Sequence, residues 1–174
     1  MLCRTPFDLT VLGDIKGLAD EGGKYMRGEE VDEVILILSA VGLSATALVL
    51  VTGGGSMTIK AGAGLAKIAR GMGAMPGWMA RTLTDAARRG VDWAGIPGIR
   101  SADDVMALLR PSVLRPTVRM LDDAGRVVKK AGPASGLYLI SKTADAAELA
   151  KLARVSEAVG DRTVGALEII GKSR

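Results

Sequence analysis

A chain of 174 residues with a net charge of +4 and a mean hydropathy of +0.27 is long enough for one domain with its own core, and it has no obvious second unit. Histidine is absent and Cys3 is the lone thiol, which excludes a disulfide framework, the usual zinc ligand sets and a His-dependent triad within the chain. Hydrophobic residues make up 48% but only five are aromatic, so Ala, Leu, Val, Ile, Met and Gly must do the packing; that suits helix on helix, and a single all-α domain over residues 1–174 is expected.

The opening MLCRTPFDLTVLGDIKGL lacks an uninterrupted apolar segment of the signal-peptide kind. From Asp8 to Lys24, Leu9, Val11, Leu12, Ile15 and Leu18 recur at helical intervals, which predicts a short helix interrupted at Gly22-Gly23. The acids Glu29, Glu30, Asp32 and Glu33 then gather where a long helix would begin, the end at which unpartnered amides favour negative charge. From Val34 to Ile59 the chain runs 26 residues without a formal charge. Its first part, VILILSAVGLSATALVLVT, would extend about 28 Å as a helix, close to the ~30 Å hydrocarbon thickness of a bilayer. Eleven large aliphatics favour insertion by about 0.3 to 0.6 kcal/mol each at mid-membrane, against Ser39, Gly42, Ser44 and Thr46. Residues 34–52 are therefore expected to form a transmembrane or buried hydrophobic helix.

Gly53-Gly54-Gly55 should stop that helix and turn the chain into a hairpin over about residues 33–75. On Ile59 to Met75, rotation by 100° per residue puts Gly62, Ala66, Ala69 and Gly73 in one small-residue stripe, Leu65, Ile68, Met72 and Met75 in an aliphatic one, and Lys60, Lys67 and Arg70 in a basic one. The small stripe is expected to pack against Ala40, Ser44 and Ala47 of the preceding helix, with the basic stripe wet and flanking the membrane. Charge is split along the chain: residues 1–33 carry four basic and eight acidic side chains, residues 60–90 six basic and one acidic. A basic flank belongs on the cytoplasmic side, so a bacterial inner-membrane location with a cytoplasmic C-terminal part is expected; the alternative is a soluble cytoplasmic protein whose basic helix face is simply solvated.

Further on, a helix is expected from about Met79 to Arg89, and breaks at Pro76-Gly77, Gly90 and Ala94 to Gly98. Ser101-Ala102-Asp103-Asp104 reads as a helix start ahead of Val105 to Leu109, opening a helical C-terminal part over residues 101–174. Pro111 should end that helix and Pro116 should sit in the first turn of the next, running to about Ala131. Ala131 to Ser141 is uncharged but too short to span, and reads as a buried strand or helix turn. Helices from about Ala144 to Val159 and from about Arg162 to Ile170, the latter capped by Asp161, complete the chain.

No stretch carries a recognisable catalytic motif. The segment Gly62 to Lys67 matches a dinucleotide glycine motif only in part and follows no strand; Ser141-Lys142 points its two side chains apart; and the acids at 29–33 are explained by helix-start electrostatics. No catalytic residue, metal, cofactor or small-molecule substrate is assigned, and nucleic acid is not an expected partner because the basic residues are mixed with acids and lack an aromatic platform.

The order Leu12-Gly13-Asp14-Ile15-Lys16-Gly17-Leu18, Gly28-Glu29-Glu30, Leu38-Ser39-Ala40-Val41-Gly42-Leu43, Lys60-Ala61-Gly62, Leu65-Ala66-Lys67 resembles uncharacterised proteobacterial membrane proteins. That likeness continues through Leu114-Arg115-Pro116 and Arg162 to Gly171. Residues 8–70 are also similar to the pre-toxin region of bacterial polymorphic toxins, although no toxin module follows. These resemblances imply a non-catalytic, membrane-associated helical protein that meets lipid and acts through protein or membrane contacts, self-association included. The alternative is a soluble helical scaffold or a pre-toxin-like delivery module.

Overall fold

Leu36, Ile37, Leu38, Ser39, Ala40 and Val41 are all buried, none more than 4% exposed. Consecutive residues of a helix are turned by about 100°, so six in a row point to every side, and a helix enclosed in this way runs through the middle of a protein. In this computed structural model, which describes residues 11–52, 57–98, 102–163 and 165 (residues 11–15, 43–52, 97–98, 102–103, 105 and 161 by their backbone alone), eight α-helices are arranged around that centre. They are α1 (Val11–Met26), α2 (Glu33–Thr52), α3 (Met57–Gly71), α4 (Gly77–Gly90), α5 (Ala102–Leu108), α6 (Pro111–Ala131), α7 (Pro133–Ser141) and α8 (Ala146–Val159). The all-α expectation holds for the described residues, whose single β feature is an isolated bridge between Val91 and Leu109.

α1, α3 and α4 lie against α2, and α6 packs across α3 while α7 and α8 pack on α6. α3 is enclosed as thoroughly as α2, with every residue from Gly62 to Lys67 buried. The two central helices share a core with Met79 and Leu83 of α4, Met120, Leu121 and Val127 of α6, and Leu149 and Leu152 of α8. Small residues set the helix spacing. A Cβ added to Gly62 would stand 1.9 Å from the Leu121 carbonyl oxygen, and one added to Gly125 would stand 1.8 Å from the Thr58 carbonyl oxygen, so α3 and α6 cross backbone to backbone with a glycine on each side. The Thr58 hydroxyl also donates to Asp122 across this crossing. On the other flank of α2, Gly17 of α1 makes room for Ser39, whose Oγ would lie 2.4 Å from a Cβ there.

Several boundaries differ from those read in the sequence. Gly22-Gly23 does not interrupt α1, which runs to Met26; Gly22 is buried with Ile96 beside it, and packing outweighs the ~1 kcal/mol that a glycine costs inside a helix. The chain turns instead at Gly28, at φ +69°. α3 stops at Gly71, and Gly73 closes it with φ +67° while Ala74 N–H bonds back to the Ala69 carbonyl at 2.8 Å. Pro111 starts α6 as its first residue and Pro116 lies inside the helix. That is tolerated because Ser112, whose carbonyl loses its usual donor, is exposed, as is Pro116 itself. The uncharged stretch near residue 135 is helix α7. The glycine turn at 53–55, Ser101 and the helix expected beyond Arg162, Thr163 and Gly165 aside, lie outside the described residues.

α8 carries a reciprocal cap: Asp145 Oδ1 accepts from Glu148 N–H at 2.8 Å, and Glu148 Oε2 accepts from Ala144 N–H at 2.8 Å. Asp145→Ala should lower stability by about 1 kcal/mol in chemical denaturation, and an unchanged midpoint would show that the cap contributes nothing.

Candidate functional site

An open cleft of about 670 Å³ lies where the start of α2 meets the ends of α1, α3 and α4. Its construction begins with Asp32, which caps α2: Oδ1 accepts from Val34 N–H and Ile35 N–H at 3.1 and 3.2 Å. Oδ2 of the same side chain accepts from Arg70 Nε at 3.0 Å, tying the last turn of α3 to the first of α2. One residue on, both oxygens of Glu33 accept from Arg88 Nε at 3.0 and 2.9 Å, which ties α4 to the same point. Asp32 N–H in turn donates to Glu21 Oε2 at 2.7 Å, and Lys24 Nζ holds the other oxygen of Glu21 at 2.7 Å. The bond that Lys24 donates to Glu21 raises its pKa above the ordinary value. Of the four acids, Asp32 thus acts as expected at a helix start, and it and Glu33 also fasten α3 and α4 to α2, whereas Glu29 pairs with Arg27 instead.

Tyr25 and Trp93 also line the cleft, and their rings meet with centroids 5.4 Å apart at 49°. Trp93 is fixed by its indole N–H, which donates to the Ala87 carbonyl at 3.1 Å, while Tyr25 is 38% exposed. Glu30 lines the cleft too and has neither a hydrogen-bond nor an ion-pair partner among the described residues. No group of histidine, cysteine and carboxylate side chains capable of holding a metal occurs among the described residues.

A second charged knot lies on the far side of α3, between α6 and α8. Arg126 Nη1 donates to both oxygens of Glu157 at 3.3 Å and Nη2 donates to Asp123, while Nε stands 3.4 Å from Asp122. Burial works against the charge on Arg126, but the bonds it donates to Asp123 and Glu157 outweigh it and raise its pKa. The knot braces the α3–α6 crossing, since Asp122 also accepts from Thr58.

The residues singled out in the sequence are distributed differently from that expectation. Ala40, Ala66 and Ala69 are buried, as a packing interface requires. Gly62 faces α6 rather than α2, because the closest backbone approach is to Leu121. Gly73 lies beyond the end of α3 with open space around it, where it serves as a turn rather than a contact. The side chains of Ser44 and Ala47 lie outside the described residues. The basic stripe divides as well. Arg70 is exposed and bound to Asp32, Lys60 is half-buried, and Lys67 is buried at 7% exposure, since helices cover α3 on both flanks and leave no continuous wet face there. Ser141 donates to the Tyr138 carbonyl at 2.7 Å and Lys142 sits over the Tyr138 ring at 5.3 Å, so neither forms a nucleophile and base pair with the other. The cleft itself was missed in the sequence, although the acids at 29–33 were the signal that could have located it.

Neither protein-family models nor curated proteins nor solved structures give a match to this chain.

Proposed function

We propose that this chain acts through contacts rather than chemistry, as a helical scaffold module organised around α2 and α3. The observation that carries this reading is the enclosure of Leu36–Val41 within the protein. Helices α1 and α4, which pack on α2, carry exposed charge, among it Lys16, Asp20 and Arg88, so the first half of α2 is shielded by protein whose outside suits water. The charged groups of the cleft support the same reading, because their bonds are spent on fastening α1, α3 and α4 to the start of α2.

Among the described residues no helix is long and apolar enough to cross a membrane. Membrane association, the other reading, rests on Leu43–Thr52, an uncharged stretch whose side chains lie outside the described residues. Those ten residues would reach about 15 Å as a helix, half of a bilayer's hydrocarbon layer. A scaffold that touches one leaflet is compatible with both readings, whereas a spanning α2 would require the helices that cover Leu36–Val41 to face lipid with their exposed charges. The likeness of residues 8–70 to pre-toxin regions adds a delivery role as one kind of scaffolding. Cell fractionation followed by an alkaline carbonate wash separates these cases. Release into the supernatant is the expected result, and retention in the washed membrane pellet would overturn the scaffold reading in favour of a span.

A further inference from the structure

The cleft at the start of α2 has a feature that its fastening role leaves unused. Arg70 and Arg88 bind their carboxylates through Nε, and the terminal Nη groups of both carry no bond to any described residue. Both arginines line one concavity, each fixed at Nε by the carboxylate it pairs with, and two guanidiniums with unbonded Nη groups suit an oxyanion. Glu30, a carboxylate without a partner among the described residues, lines the same cleft as the Tyr25–Trp93 ring pair, and such a combination suits an ammonium group. Net charge decides between the possible classes of ligand. Three carboxylates and two guanidiniums line the cleft, so a polyanion would meet Glu30, Asp32 and Glu33, and a polycation would meet the two arginines. A molecule carrying one charge of each sign meets a partner at both ends.

We propose that this cleft binds a small zwitterion, its oxyanion against the Nη groups of Arg70 and Arg88 and its ammonium against Glu30 and the Tyr25–Trp93 pair. The proposal is independent of the scaffold reading: a scaffold without the site would still be released by carbonate, and a membrane-spanning chain could still hold the ligand. Amino acids and phosphoethanolamine headgroups share this chemistry.

The test is calorimetric titration of the intact chain with L-alanine and with sn-glycero-3-phosphoethanolamine, alongside inorganic phosphate and ethylamine as the separated charges. At least one zwitterion is expected to bind at a single site about tenfold or more tightly than either separated charge, a difference of ~1.4 kcal/mol. Glu30→Gln, which removes an exposed group with no partner and leaves the fold intact, should weaken that binding about tenfold, as should Arg88→Lys, which keeps the charge and loses the planar fork. Arg81→Lys, on the exposed face of α4 outside the cleft, should change nothing. Flotation with phosphatidylethanolamine vesicles that Glu30→Gln abolishes would assign the ligand to a lipid headgroup, and binding of the free probe without flotation would assign it to a soluble zwitterion. Absence of saturable binding by both zwitterions, equal binding by a separated charge, or indifference to Glu30→Gln and Arg88→Lys would overturn the proposal.

Discussion

Gly62→Ala should destabilise the protein by about 3 kcal/mol, and Gly125→Ala by a similar amount, near the upper end of what overpacking usually costs. Elsewhere in a helix the same change gains about 1 kcal/mol, because alanine is the better helix former. Here the sign is reversed by geometry. The new methyl group at residue 62 would stand 1.9 Å from the Leu121 oxygen and 2.8 Å from its carbon, and at residue 125 it would stand 1.8 Å from the Thr58 oxygen. These neighbours are backbone atoms of hydrogen-bonded helices, which cannot rotate away as a side-chain tip can, so α3 and α6 would have to separate. Separation would also strain the bond between Thr58 and Asp122. Gly71→Ala is the matched control: it lies at the end of α3 with nothing within 4 Å of the added methyl, and it should be neutral or slightly stabilising. Urea or thermal unfolding of the three variants reads the difference directly, and equal tolerance at 62, 71 and 125 would show that the crossing is not close-packed.

Leu38→Ala should cost about 3 kcal/mol in detergent-free buffer, within the ~2–5 kcal/mol range for large-to-small changes in a core. Leu38 has no exposed surface, and it belongs to a core cluster that also takes in residues of α3, α4 and α6. A leucine directed at lipid would behave otherwise, since truncating it removes little that holds the protein together in water. Denaturation of the variant in buffer, without lipid, therefore distinguishes a core position from a lipid-facing one; a change within about 0.5 kcal/mol, the usual size for surface positions, would argue for lipid.

The elements of this fold were legible to very different degrees. The 3.6-residue periodicity of α6 and α8 and the length of the uncharged run located these helices to within a few residues, except that Pro111 starts α6 and Pro116 lies inside it. A proline favours a helix's first turn on local grounds, and two of them five residues apart leave the choice to packing. Hydrophobicity on all sides of residues 34–41 was visible, but a helix buried in protein and one buried in lipid carry the same pattern; only the covering helices tell them apart. The small-residue stripe of α3 was likewise recognisable, yet its partner was not, because Gly62 matches Gly125 of α6 at a sequence distance that no periodicity encodes. Lys67 shows the same limit. Rotation assigns it to a basic face, and burial depends on α2 and α6 arriving from both sides. Of the cleft, the acids at 29–33 were readable as a helix start, whereas Arg70, Arg88 and Trp93 reach them only through the fold.

Hydrogen exchange followed by mass spectrometry, on the intact chain in detergent-free buffer, tests the central position of α2 most directly. Amides exchange through opening reactions whose free energy is highest in the core. Peptides covering Leu36–Val41 should be among the slowest to exchange, together with those covering Met120–Val127 of α6, and adding phospholipid vesicles should leave that protection unchanged. Exchange of Leu36–Val41 within seconds in buffer, with protection appearing only when vesicles are added, would contradict a protein-enclosed α2.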